Sequence, residues 1–159
     1  IMVIFRYFFL VPDEYVFWNQ KVYQYCKSAL NHQENFQLIF SSGPPFSAHL
    51  LGLKLSRLWR LPWVADFRDQ WMGHIIFQPR YWYRKIIERY LEQKIIKEAS
   101  LISCATDPIT RNFQKRFPAF KNKFITIANG YDPDDFSSQP SSPQFLDRGL
   151  RWNQRGGIG

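Results

Sequence analysis

The sequence predicts an α/β fold, with a parallel sheet covered by helices, on three observations. Short apolar runs alternate with stretches of helical periodicity along most of the 159 residues. The runs are near-continuous rather than alternating, as in strands buried on both faces. Each run stops abruptly at polar, glycine or proline residues, as strand ends do. Alternation of this kind yields a Rossmann-like parallel sheet with flanking helices.

Ile1 to Val11 reads as a buried strand. Glu14 to Leu30 suits a helix, with Trp18, Val22, Tyr25, Cys26 and Ala29 on one face. Phe36 to Phe40 is a strand that ends in the hard turn Ser41-Ser42-Gly43-Pro44-Pro45. Ser47 then caps a helix whose Ala48, Leu51, Leu55 and Leu58 form a stripe. Trp63 to Ala65 follows as a strand, and Gly73 to Pro79 as a loop. Arg80 to Glu98 is the clearest helix, with Tyr83, Ile86, Ile87, Tyr90, Leu91 and Ile95 expected to face the core. Leu101 to Ala105 is a strand, and Pro108 to Phe117 a helix with proline in its first turn. Phe124 to Ala128 is a strand that turns at Asn129-Gly130. From Ser137 the chain is linker-like, so residues 1–136 are expected to form a domain and 137–159 a poorly ordered tail.

Hydrophobic residues make up 45% and aromatics 18% of the chain, a globular composition. The net charge of +8 favours an anionic partner. The basic residues of 80–97 and 111–123 either form solvated helix faces or attract an anionic membrane surface. No RNP-like aromatic stretch or zinc finger occurs, so nucleic acid is not the expected partner. Cys26 and Cys104 match no metal or redox spacing and read as reduced, buried thiols compatible with a cytoplasmic setting. No apolar run approaches the roughly 20 residues that span a bilayer.

Four strand ends carry the functional reading, because a parallel sheet gathers its carboxyl ends along one edge, where ligands bind. They are Ser41-Ser42-Gly43, Asp66-Phe67-Arg68-Asp69, Thr106-Asp107 and Asn129-Gly130-Tyr131-Asp132. In the second, Arg68 either braces the loop between two carboxylates or helps Asp66 and Asp69 hold ligand hydroxyls. Ser42 and Gly43 present backbone N–H groups to a phosphate or hydroxyl, although no P-loop pattern is present. His49 either reaches the same cleft or is a structural histidine. Asp132, Asp134 and Asp135 suit turn and capping roles better than a metal site, and no metal is expected.

Ser41–His49, Leu61–Trp71 and Asn129–Phe136, in that order, resemble the N-terminal domain of family 4 glycosyltransferases. The resemblance covers about Pro12 to Phe136. It implies a partial GT-B N-terminal domain, the acceptor-side half of a two-domain enzyme. Such enzymes move a sugar from a nucleotide-sugar donor to a glycan or lipid-linked acceptor with retention, without a permanently bound cofactor. Asp66 and Asp69 become the best candidates for the reacting centre. Ser42, Gly43, His49, Asp66, Arg68, Asp69 and Asn129 become the expected substrate-binding set. The family's Gly-rich loop is not found before Pro12, and its donor-binding domain is missing, so the fragment alone is expected to be inactive. The other reading is a non-catalytic α/β module that binds a glycan or phosphorylated ligand, or docks at an anionic membrane. The expected location is cytoplasmic, with the inner membrane face as a peripheral site.

Overall fold

The computed structural model describes residues 10–29, 36–73, 81–130 and 132. The chain divides into two compact units, Ile1–Asn129 and Gly130–Gly159. Only Gly130 and Asp132 of the second are described. The expected first strand up to Phe9, the loop beyond Gly73 and the tail from Ser137 lie outside the described residues.

The elements run α1 (Val16–Ala29), β1 (Ile39–Gly43), α2 (Ser47–Trp59), β2 (Trp63–Phe67), α3 (Trp82–Glu98), β3 (Leu101–Cys104), α4 (Asp107–Arg116), a 3₁₀ turn (Pro118–Lys123) and β4 (Phe124–Thr126). The sheet is four-stranded and parallel, in the order β1-β2-β3-β4. This is the α/β, Rossmann-like arrangement expected from the sequence.

Successive strands are neighbours and the order always advances the same way. Right-handed crossovers therefore put α2, α3 and α4 on one face. The core agrees: Trp63, Ala65 and Phe67 of β2, Ile102 and Cys104 of β3, and Phe124 of β4 pack with Leu53, Ile95, Ile96 and Phe113 from the helices. Burying Trp63, Phe67 or Phe113 is worth about 1.5–3 kcal/mol each. On the opposite face Phe40 is 60% exposed, while Val64, Leu101 and Ile125 are half-buried. Burial on both faces was expected, but among the described residues the helices cover one.

β1 starts three residues later than expected and runs into the presumed turn as far as Gly43, and β2 continues two residues past Ala65. Polar residues extend both strands because their side chains find partners in the sheet. Trp63 Nε1 donates to Ser41 Oγ at 2.9 Å, and Ser42 Oγ donates to Asp66 at 2.7 Å.

The start of α2 also differs from expectation. Ser47 lies inside the helix and makes no side-chain cap. Its N–H instead donates to the Asp13 carboxylate at 2.9 Å, an anion in the position the helix dipole favours. The helix ends at Arg60 in the left-handed conformation, φ 54°. Gly52 is where α2 meets the sheet, since a β-carbon there would lie 2.6 Å from Trp63 Nε1.

Two helices are turned relative to their apolar periodicity. On α1, Trp18 and Tyr25 are exposed, whereas Cys26 and Asn19 are buried. Asn19 Nδ2 donates to the Ser47 carbonyl at 2.6 Å. On α3 the reversal is larger. Ile86, Ile87 and Tyr90 are exposed, while Arg84, Glu88 and Glu92 point inward beside Ile95 and Ile96.

The inward charges are paired, which is what permits their burial. Arg84 forms an ion pair with Glu88 and donates to the Pro12 carbonyl at 2.9 Å. Glu88 accepts from Trp71 Nε1, and Glu92 pairs with Arg116 and accepts from the Met72 N–H. This charged stripe joins α3 to the segment before α1, the loop after β2 and the end of α4. The far end of α3 is closed by Lys123, whose ammonium donates to the carbonyls of Lys97 and Ala99 at 2.7 and 2.8 Å.

Candidate functional site

The four strands end in register, with Gly43, Phe67, Cys104 and Thr126 side by side. The next residue or so of three loops bonds back to the neighbouring strand. Arg68 N–H donates to the Gly43 carbonyl, Ala105 N–H to Phe67 and Ile127 N–H to Cys104. The loop roots are thereby held along one edge.

On that edge Arg68, Asp69, Thr106, Asp107 and Asn129 are exposed. Among the described residues Arg68 forms no ion pair with a carboxylate. Its guanidinium donates to the Pro44 carbonyl at 2.6 Å, tying the turn after β1 to the loop after β2. The Asp69 side chain has no hydrogen bond or ion pair among the described residues. It is an acceptor-only group facing solvent, beside a guanidinium already held in place.

Asp66 has a different environment. It lies one position short of the edge, on the sheet face away from the three helices, in register with Ser42 and Ser103. Ser42 Oγ donates to Asp66 Oδ2 and Ser103 Oγ to Oδ1, both at 2.7 Å. Both carboxylate oxygens are engaged across three strands. Ser103 was not singled out from the sequence. The usable signal was its equal offset from the strand end, which places it level with Asp66.

His49 is fully buried beneath the edge, with its ring against Phe67 and near Phe46 and Trp63. Its Nδ1 lies 2.9 Å from Ser41 Oγ. The Trp63 indole can only donate, so Ser41 accepts from it and can pass its own proton to His49 Nδ1. That network assigns the Nε2–H tautomer. Among the described residues the buried His49 Nε2 has no hydrogen-bond partner, and a β-carbon on Gly43 would meet it at 2.7 Å. Desolvation pushes the imidazole down to about 3, against a smaller opposing pull from Asp66. His49 is therefore neutral at physiological pH and supports the edge from below.

Ser41 and Ser42 use their hydroxyls inside the fold, and the N–H at the start of α2 belongs to Asp13. Asp132 is exposed, while Asp134 and Asp135 lie outside the described residues. Among the described residues, no three His, Cys, Asp or Glu side chains come together to hold a metal. Burial pushes the Cys104 thiol up to about 11 and raises that of Cys26, which leaves both protonated and unreactive at neutral pH. No helix among the described residues is long and apolar enough to cross a membrane. Models of protein families give no match to the chain, and neither do the curated proteins.

Proposed function

We infer that this chain is the acceptor-side N-terminal domain of a family 4 glycosyltransferase with GT-B architecture. In the two-domain enzyme it presents a glycan or lipid-linked acceptor to a nucleotide-sugar held by the other half. Three ordered motifs support the reading: the first two reach the carboxyl ends of β1 and β2, and the third begins at Asn129, just beyond β4. The observation that carries it is Asp69, an exposed carboxylate at that edge with no partner among the described residues, next to an anchored Arg68. A carboxylate in this setting accepts hydrogen bonds from sugar hydroxyls. Arg68 has donors left over for a second hydroxyl or a negatively charged leaving group.

The division of labour follows from the environments. Asp69 and Arg68 contact the acceptor, Asn129 contributes an amide from the end of the sheet, and Asp66, Ser42 and His49 hold the edge in shape. Proximity is the domain's contribution to rate, since transfer requires acceptor and donor to be positioned together.

In the two-domain enzyme, Asp69→Asn is expected to lower kcat/KM for sugar transfer by about 10- to 100-fold, the equivalent of one charge-assisted hydrogen bond. Its melting temperature should be unchanged. An unaltered rate removes Asp69 from the site. An equal loss of stability makes it a structural residue.

A further inference from the structure

A groove of about 470 Å³ opens between the loop after β2, α3 and α4. We propose that it binds a phosphate monoester or diphosphate group. Lys85 and Arg89, one turn apart on α3, and Arg116 at the end of α4 converge on it. No acid lines it. The carboxylate of Glu92, fully buried, is engaged by Arg116 and the Met72 N–H. Even with Glu92 ionised, the groove keeps two positive charges in excess, matching a dianion.

The site is also pre-ordered. Arg116 Nη1 donates to the Met72 carbonyl at 2.8 Å, and its guanidinium lies over the Phe113 and Phe117 rings. A cation already held by protein contacts loses little freedom when an anion arrives. Lys85 and Arg89 are exposed and supply the adaptable donors. Gln93 adds an amide, while Met72 and Phe117 give an apolar wall. The volume suits an organic phosphate better than a bare ion. The inference is independent of the glycosyl-transfer reading.

Two sources share this chemistry, a soluble diphosphate and a lipid phosphomonoester. The test is calorimetric titration of the chain with inorganic pyrophosphate at constant ionic strength, and co-sedimentation with vesicles containing phosphatidic acid. Wild type and Lys85→Gln/Arg89→Gln are compared. Lys94→Gln/Lys97→Gln removes equal charge from the same helix outside the groove. Circular dichroism verifies that each variant is folded. The groove variant is expected to bind at least one probe tenfold or more weakly than wild type, and the control to bind like wild type. A loss confined to pyrophosphate identifies a soluble ligand, and a loss confined to vesicles a lipid headgroup. Equal losses in both variants, or no binding of either probe by wild type, overturn the proposal.

Discussion

Replacing Glu92 with alanine is expected to destabilise the protein by about 3–5 kcal/mol, the usual cost of removing one partner from a buried ion pair. Glu92 is fully buried, and its carboxylate answers both the Arg116 guanidinium and the Met72 N–H. Burial raises its pKa, against the opposing pull of Arg116. Truncation leaves Arg116 without its carboxylate and an amide without an acceptor. Glu92→Gln keeps an acceptor for Met72 and should cost clearly less. Glu92→Leu combined with Arg116→Met removes both charges and should recover much of the loss, because an apolar pair needs no solvation. Urea unfolding at neutral pH measures all three. A cost below about 1 kcal/mol for the alanine variant would mean that the stripe on α3 does not carry the packing of this face.

Acid should weaken the fold through His49. The imidazole is pushed down to about 3 in the folded protein, against an ordinary value of 6.5. Between those values the unfolded chain binds a proton that the folded one refuses, so stability falls as pH drops through the window. From pH 7 to pH 4 this single group contributes a loss of about 3 kcal/mol. Glu92 has the opposite sign. Its raised pKa adds stability at low pH that is lost as pH rises through the folded value. A comparison with His49→Gln isolates the histidine: the wild-type protein should lose stability with acid more steeply than the variant. Parallel slopes would show that His49 is accessible to protons in the folded state.

The sheet was legible in the sequence because strand and helix periods differ so clearly, and because proline and glycine mark the turns. Its edges were less so. β1 and β2 run on through Ser42 and Asp66 because side chains on adjacent strands satisfy each other, and such pairing is a long-range fact. The facing of α3 was misread for a related reason. Arg84, Glu88 and Glu92 look like a solvated face until Pro12, Trp71, Met72 and Arg116 are placed around them. Asp66 and Asp69 look alike in the sequence, three residues apart. Only register separates them, one locked between serines and the other open at the edge. The basic segment from Arg111 to Lys123 divides in the same way. Arg116 and Lys123 are used within the fold, while Arg111, Lys115 and Lys121 remain exposed.

The central claim is that the carboxyl edge of this sheet is an acceptor-binding wall. Its most direct test is amide chemical-shift mapping of the isotope-labelled chain during titration with a panel of short oligosaccharides. The expected result is saturable shifts at Gly43, Arg68, Asp69, Asp107 and Asn129 for at least one sugar class, absent in Asp69→Asn. Shifts confined to other surfaces, or none across the panel, would contradict it.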